Sequence, residues 1–346
     1  KDITFSGSRV YDGTTTVSSS DLVTNGTTSG ETLAFSGSGT VSSANVQNNQ
    51  SVTIGSIAIA DGSGGGLASN YNLTTGTFDI SQKWVSVGGQ KIYDATTTVS
   101  SSDLEVTGEV TGESISITGT GSVTDKNVGS GKTIDISGLS LSDGSHSASN
   151  YTIGTTSFAI TRRNLSISGE KVYDGTGTVL ASQIDTVNTA GGETLTISGE
   201  GSVSLPSVGT NKSITLNTLG ISDGTNGTIG LASNYTLDSG SFDITTKPIT
   251  LTGSRQYDGT TDVASSDLTL IGEVSGESIS ITGTGSVTDK NVGAGKTINT
   301  TGLSLADNTS NASNYSLSTG TFTINNKILS ISGTRAYDGS TTVSSG

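Results

Sequence analysis

Residues that could carry out catalysis are scarce in this chain. It has a single histidine, His146, and no cysteine. General-base and nucleophilic catalysis depends on such side chains held by fixed partners. Without cysteine, neither disulfides nor thiolate metal sites can form. The residue types therefore predict a protein that is not an enzyme.

Carboxylates and amides are the remaining side chains that could bind a metal ion. Calcium needs six or more oxygen ligands that converge on one point. Two loop segments offer such oxygens, and the candidate ligands are Asp143, Asn150, Asp307 and Asn314. The chain has no EF-hand loop, and Asp and Asn also occur where the chain turns. The sequence predicts no required cofactor and calcium as an optional one.

A third pattern combines a basic residue, a tyrosine and an aspartate. Alternate residues of a strand share a face, so the basic side chain is predicted to lie over the tyrosine ring. The Asp-Gly that follows most of these tyrosines is typical of a turn. We interpret the pattern as a turn with local packing, and the alternative is a ligand site repeated along the chain. The basic residues are Arg9, Lys91, Lys171, Arg255 and Arg335.

These patterns belong to a long tandem repeat. Gly-Glu begins 19 residues after each of the first four tyrosines, and Ser-Asn-Tyr ends 22 residues before each of the last four. Length varies only between an aspartate 50 residues after the tyrosine and Ser-Asn-Tyr, which predicts a surface loop there. The repeats follow Tyr-Asp pairs that start at Tyr11, Tyr93, Tyr173, Tyr257 and Tyr337, in steps of 82, 80, 84 and 80 residues.

Alternate repeats are more alike than neighbouring ones. Residues 112–129 and 276–293 are identical. Residues 66–71 and 230–235 share Gly-Leu-Ala-Ser-Asn-Tyr. Duplication of a two-domain segment accounts for this alternation.

Short alternations of apolar residues with Ser and Thr predict strands, separated by Gly-rich turns. We predict an all-β fold of four tandem small β-sandwich domains with Ig-like character, arranged as an extended rod. A β-grasp-like domain is the runner-up, because residues 98–104 could form a short helix. In the second repeat the predicted strands are 85–92, 105–107, 114–118, 133–137, 139–141, 151–153 and 157–160.

The junctions between repeats contain no flexible linker. Residues 78–87, for example, pass from one predicted strand to the next without a Gly/Ser run, which predicts neighbours held at a fixed angle. In an alternative phase, the first strand of each repeat would complete the preceding domain. The predicted domains are 1–82, 83–162, 163–246 and 247–326, with 327–346 starting a fifth repeat.

Charge and composition exclude two classes of partner. The net charge of −14 argues against nucleic acid, whose binding needs clustered Lys and Arg. No apolar run is long enough to span a membrane. The chain has no methionine, so we expect it to be an internal piece of a longer protein. Its acidic, Ser/Thr-rich composition suits an extracellular location.

Several motifs in fixed order carry a resemblance to a known family. Residues 89–94 (GQKIYD), 125–132 (DKNVGSGK) and 148–151 (ASNY) resemble the YDG-type repeat of large bacterial adhesins, including filamentous-haemagglutinin-like exoproteins. Ala95 replaces the glycine of the motif, and the first and third repeats lack the full DKNVGSGK run. The resemblance implies a repetitive segment of an adhesin or matrix fibre at the bacterial surface, without catalytic residues.

The sequence therefore predicts a mechanical function. The chain would be a stalk or spacer of a secreted adhesin or biofilm fibre. Its partners would be neighbouring repeats, and also other copies in a fibre or a surface glycan. One alternative is that the repeats bind glycans or partner surfaces through their variable loops. A minor alternative is ice binding by Thr-rich strands.

Overall fold

The computed structural model describes residues 1–345, which divide into two compact units. The first unit comprises Lys1–Asn164, Thr189–Leu195 and Asp223–Thr236, and the second comprises the remaining segments. Strands dominate both units, and the described helices are single 3₁₀ turns. The all-β prediction is therefore confirmed. In the described part of the chain, no helix has the length and apolarity needed to cross a membrane.

The first two repeats contain seventeen strands. Those of the first repeat are β1 Asp2–Val10, β2 Thr16–Ser18, β3 Leu22–Asn25, β4 Leu33–Ser36, β5 Ser38–Thr40, β6 Gln47–Ser51, β7 Ala58–Asp61, β8 Asn72–Leu73 and β9 Thr77–Ser81. Those of the second are β10 Lys83–Ile92, β11 Thr98–Ser100, β12 Leu104–Thr107, β13 Ile115–Val123, β14 Gly129–Lys132, β15 Ile134–Asp135, β16 Leu139–Asp143 and β17 Tyr151–Thr161.

The third and fourth repeats follow the same plan. The third has β18 Arg163–Val172, β19 Thr178–Leu180, β20 Ile184–Val187, β21 Glu193–Ser198, β22 Glu200–Val203, β23 Gly209–Thr215, β24 Gly220–Asp223, β25 Thr228–Ile229 and β26 Tyr235–Thr245. The fourth has β27 Lys247–Gln256, β28 Asp262–Ala264, β29 Leu268–Ile271, β30 Ile279–Ser286, β31 Gly293–Thr297, β32 Leu303–Asp307, β33 Tyr315–Leu317 and β34 Thr321–Asn325.

The 3₁₀ turns fall at equivalent places in the repeats. One precedes the third strand, and a second immediately precedes the tyrosine of Ser-Asn-Tyr. The turn at Ser101–Asp103 occupies the region where the runner-up fold allowed a short helix. The turns are Ser19–Asp21, Ala68–Asn70, Ser101–Asp103, Ala148–Asn150, Ala181–Gln183, Ala190–Gly192, Ala232–Asn234, Ser265–Asp267 and Ala312–Asn314.

The main sheet of each repeat pairs its first strand with its last. In the second repeat the order is β12-β10-β17-β14, with β10 and β17 parallel and the outer strands antiparallel to them. The first and fourth repeats have the equivalent orders β3-β1-β9-β6 and β29-β27-β34-β31. A smaller antiparallel sheet contains β11, β13 and β15 in the second repeat and β28, β30 and β32 in the fourth.

Because each repeat joins its own first and last strands, the shared-edge alternative is wrong for these four repeats. The Tyr11 N–H donates to Ser81 O, and the Tyr173 N–H donates to Thr245 O. Residues 327–345 contain no strand.

One glycine position is required by the close approach of two chain segments. A Cβ on Gly89 would lie 1.8 Å from the carbonyl oxygen of Asp103, at the end of a 3₁₀ turn. The equivalent Gly253 has the same problem with Asp267 O, at 2.2 Å. Only glycine lets the first strand pass this close to the turn.

The apolar cores do not stop at the ends of the repeats. In the first unit, Phe5, Phe78 and Ile80 of the first repeat belong to one buried cluster with Ile115 and Tyr151 of the second. In the second unit, a cluster of the third repeat likewise includes Ile249, Ile279, Ala312 and Tyr315 of the fourth. Consecutive repeats within each unit therefore share a core.

Candidate functional site

The Tyr-Asp-Gly motif forms the turn that the sequence predicts. The Asp94 carboxylate accepts hydrogen bonds from the Thr96 N–H and hydroxyl, both at 2.9 Å. The residue between them is Ala95, with a φ of 66°. This is the left-handed conformation that glycine adopts at equivalent positions such as Gly13, with a φ of 79°. The turn is thus kept even where its glycine is absent.

The basic residue before the tyrosine closes this turn. Lys91 Nζ lies 2.9 Å from Asp94 Oδ1, 3.0 Å from Thr96 O and 2.6 Å from Thr98 O, and Lys171 makes the equivalent contacts. The prediction that the basic side chain lies over the tyrosine ring is wrong here. The ammonium group follows the carboxylate and carbonyl oxygens of the turn, which satisfy its three donors better than a ring does. Arg9 does lie over a ring, but it is that of Phe78.

Replacing Lys91 by methionine is expected to destabilise the second repeat by about 1.5 kcal/mol, because buried oxygens lose a charged donor while the volume is kept. Replacing it by arginine should cost much less, since Arg255 makes the equivalent contacts with Asp262 O and Thr260 O. Urea unfolding of the two variants measures the difference. Equal losses for both would contradict the role of the turn.

The tyrosine of the motif reaches into the following repeat. Tyr11 Oη donates to Glu113 Oε1 at 2.8 Å, and Tyr151 Oη donates to the other oxygen, Oε2, at 2.5 Å. The Tyr151 hydroxyl in turn accepts from the Val110 N–H at 3.1 Å. The two rings meet edge to face, with centroids 5.4 Å apart. We call this arrangement of one glutamate between two tyrosines the clasp.

The clasp occurs three times in the described chain. Glu193 accepts from Tyr93 and Tyr235, both at 2.8 Å. Glu277 accepts from Tyr173 and Tyr315, both at 2.6 Å. The ring centroids are 5.4 and 5.5 Å apart in these two clasps. The first two clasps lie in the first unit and the third lies in the second unit.

An asparagine beside each clasp binds the preceding repeat. Asn150, which is only 1% exposed, accepts from the Val46 N–H and donates to Asn45 Oδ1, both at 2.9 Å. Asn234 makes the same pair of bonds to Val128 and Asn127. Asn314 accepts from the Val208 N–H at 3.0 Å, and residue 207 is a serine.

Two faces therefore meet at each junction. The receiving face consists of the glutamate, the asparagine and the tyrosine of Ser-Asn-Tyr, such as Glu113, Asn150 and Tyr151. The inserting face consists of the Tyr-Asp tyrosine and an Asn-Val pair, such as Tyr11 with Asn45 and Val46. Most of the markers that keep register in the sequence lie at this contact.

One junction carries a cation. Lys126 Nζ lies 2.6 Å from Glu193 Oε1, and the glutamate side chain is 1% exposed. The positions equivalent to Lys126 are Ala44 in the first repeat and Pro206 in the third. At the Glu113 clasp, the ring of His146 lies 3.9 Å from the carboxylate. The clasps of even and odd repeats thus differ in charge.

Burial within the clasp keeps the tyrosines neutral. It raises the pKa of Tyr11, Tyr151, Tyr173 and Tyr315 to about 12, together with the hydrogen bonds to the negatively charged glutamates. Burial alone would raise the pKa of Glu193. The hydrogen bonds from Lys126 and the two tyrosines outweigh burial and hold that pKa below its ordinary value.

These shifts predict loss of the clasps in alkali. The folded tyrosines have a pKa above the ordinary 10.0, so their contribution to stability is fully present below pH 10 and is lost as the pH rises through about 12. Tyrosinate absorbance and near-UV circular dichroism, followed together, should change in a common late phase. Complete ionisation near pH 10 without loss of the dichroism would contradict this.

The four candidate calcium ligands make contacts within the protein. Asp143 Oδ1 accepts from the Ala148 N–H and Asp307 Oδ1 from the Ala312 N–H, both at 2.8 Å. The side-chain oxygens of Asn150 and Asn314 accept main-chain bonds across the junctions. Within residues 1–345, no group of three or more His, Cys, Asp or Glu residues is placed to hold a metal ion.

Calcium binding remains a prediction, and it would have to share or displace these hydrogen bonds. If calcium binds there, a chelator should lower the melting temperature and calcium should restore it. An unchanged melting temperature after chelation, with Asp143→Ala as the comparison, would reject the calcium hypothesis.

The arrangement lends itself to docking rather than to bond chemistry. The buried carboxylates of the clasps are held by hydroxyl donors, and the sequence reasoning missed them as a site. The available signal was the invariant spacing of Gly-Glu from Tyr-Asp and from Ser-Asn-Tyr.

Comparison with known proteins was made at the level of families and of individual sequences. None of the curated proteins compared with the chain matches it. A family model described as the YDG domain matches residues 1–78, 82–158, 161–242 and 244–323. These four matches cover most of the chain. The chain belongs to the YDG domain family and is a tandem array of its repeats.

Proposed function

We propose that this chain is a structural stalk or spacer segment of an extracellular bacterial adhesin or matrix fibre. Its repeats bind their neighbours through the clasps and so transmit force along the chain. Partners would be neighbouring repeats, and the surface would be that of a bacterium. The chemistry needed is docking, without turnover or a cofactor.

The observation that supports this proposal most is the recurrence of the clasp. Tyr-Asp, Gly-Glu and Ser-Asn-Tyr are far apart in each repeat, and the clasp brings together one tyrosine from one repeat with the glutamate and tyrosine of the next. A polar group buried at such a contact is costly unless it is paired. A freely jointed chain would not need buried glutamates at its junctions.

Single-molecule pulling tests the mechanical role. We expect the native chain to resist extension with a narrow distribution of lengths before unfolding. A chain with Glu113→Ala, Glu193→Ala and Glu277→Ala should extend at lower force, as separate repeats. Identical force–extension curves for the two proteins would reject the proposal.

A second candidate function is binding through the variable loops. It is favoured by apolar side chains exposed there, with Leu67 51% exposed and Ile229 54% exposed. Soluble proteins seldom expose such residues in groups without a partner. Saturable binding of the chain to glycans or to a matrix protein, lost in Leu67→Ser and Ile229→Ser, would establish this function.

The finer fold assignment also belongs here. Ig-like sandwiches are built from antiparallel sheets, whereas β10 and β17 are parallel at the centre of the main sheet. We propose that each repeat is a β-grasp-like domain in which the Ser101–Asp103 turn stands where a helix would lie. The parallel central pair supports this assignment over the Ig-like one.

A further inference from the structure

The first repeat presents a receiving face without an inserting partner. Tyr71 donates to Glu31 and accepts from the Thr28 N–H, as Tyr151 does with Glu113 and Val110. In the described part of the chain, no second tyrosine contacts Glu31. The face is assembled in the conformation that binds a partner elsewhere.

Exposure confirms that the first receiving face is uncovered in this chain. Asn70 is exposed, whereas Asn150 and Asn234 are each 1% exposed. Tyr71 is half-buried, whereas its equivalent Tyr151 is 2% exposed. The residues match in type, and only the contact is missing.

The fourth repeat presents a complementary inserting face. Tyr257 is half-buried and Lys290 and Asn291 are exposed, and Val292 is 48% exposed. The equivalents Tyr93 and Tyr173 are 0% and 5% exposed in their clasps. Within residues 1–345, no carboxylate accepts a hydrogen bond from the Tyr257 hydroxyl.

The alternation of repeats makes these two faces a matched pair. The fourth repeat shares residues 276–293 with residues 112–129 of the second, so Lys290 corresponds to Lys126. The first repeat shares Gly-Leu-Ala-Ser-Asn-Tyr with the third, so Glu31 corresponds to Glu193. Contact of a fourth repeat with a first repeat would therefore reproduce the junction in which Lys126 binds Glu193 at 2.6 Å.

We propose that copies of this chain associate head to tail, with the inserting face of the fourth repeat bound to the receiving face of the first repeat of another copy. Lys290 binds Glu31, Tyr257 completes the clasp, and Asn70 binds the main chain at Val292. Since the two faces differ, the contact is heterologous and lengthens into a filament instead of closing a dimer. The proposal rests on the docking role proposed above.

Association between copies lacks the high effective concentration that a covalent junction supplies. A cross-linking experiment is suited to such a weak contact, and the absence of cysteine from the chain makes introduced cysteines unique. Arg162 and Ser233 are exposed residues beside the Glu193 clasp, and Arg162 Nε donates to Ser233 O at 3.1 Å. Their equivalents at the free faces are Asn326 and Ser69, which are also exposed.

The experiment mixes two full-length variants, Asn326→Cys and Ser69→Cys, with a short bismaleimide. We expect a covalent dimer from the mixture in several-fold excess over either variant alone. Adding Glu31→Ala to the Ser69→Cys chain, or Lys290→Ala to the Asn326→Cys chain, should reduce the yield several-fold. A yield that is no higher in the mixture, or that is insensitive to both alanines, would overturn the proposal.

An internal control separates this proposal from the proposed function. The double variant Arg162→Cys/Ser233→Cys should form an intramolecular cross-link if the repeats dock in solution. If that link forms and the mixture gives no dimer, head-to-tail association fails while the docked junction stands. If the intramolecular link does not form, the docking role itself fails, and this proposal fails with it.

Discussion

Replacing Glu193 by alanine is expected to weaken the junction between the second and third repeats by about 3 kcal/mol, because a buried charge network loses its central member. The carboxylate accepts from Tyr93, Tyr235 and Lys126 within 2.8 Å. Its removal leaves two buried hydroxyls and an ammonium group without that acceptor. The loss should be smaller in Glu193→Gln, whose amide oxygen can still accept.

Native-state hydrogen exchange measures this loss where it occurs. The Val128 N–H donates to Asn234 across the junction, and the Ala190 N–H donates to Tyr235 Oη. Both amides should exchange far faster in Glu193→Ala. The matched control is Glu31→Ala, which removes the same residue type from a face that lacks an inserted tyrosine. Equal effects of the two substitutions on the overall unfolding midpoint would mean that the clasp contributes nothing.

Replacing Tyr173 by alanine should destabilise the junction of the second unit by about 4 kcal/mol, since it creates a cavity and leaves a carboxylate with one donor fewer. Tyr173 is 5% exposed and packs edge to face on Tyr315. A phenylalanine at this position keeps the ring and loses only the hydroxyl, so Tyr173→Phe should cost about 1 kcal/mol.

Equivalent tyrosines elsewhere in the chain provide matched controls. Tyr337 is 95% exposed, so Tyr337→Ala should leave the unfolding midpoint unchanged, and the half-buried Tyr257 should give an intermediate effect. Urea unfolding of the three alanine variants would show this order. A large effect at Tyr337, or none at Tyr173, would contradict the assignment of the motif tyrosine to the junction.

Much of the strand pattern could be predicted, because alternation of Ser/Thr with apolar residues fixes which face is buried. The predicted strand 85–92 lies within β10 Lys83–Ile92. Residues 151–153 and 157–160 were predicted as two strands but form the single strand β17. The register shift opposite Val85 and Ser86 accommodates an extra residue, and a bulge of this kind interrupts the alternation that sequence reasoning follows.

The short strand β11 was missed for a different reason. Thr98–Ser100 has only three residues, too few for a period to be recognised. The parallel pairing of β10 with β17 was also beyond reach, since it joins residues almost a whole repeat apart. Local patterns specify strands, while pairing depends on contacts distant in the chain.

The candidate site was found in part. The fixed spacing of the motifs was visible, and the turn at Asp94 was correctly predicted from Asp and its neighbours. The partner of Tyr11 could not be predicted, because Glu113 lies 102 positions away and in another repeat. The basic residue was assigned to the wrong partner because strand alternation ignores the carbonyl oxygens that the following turn presents.

The central claim is that the clasps hold consecutive repeats in one fixed arrangement. Spin labels on Thr40→Cys and Thr120→Cys, at exposed strand positions of the first and second repeats, would report the spread of distances across the Glu113 clasp. We predict a single narrow distribution in the native background and a broad one after Glu113→Ala. A broad distribution in the native background, unchanged by Glu113→Ala, would contradict the account.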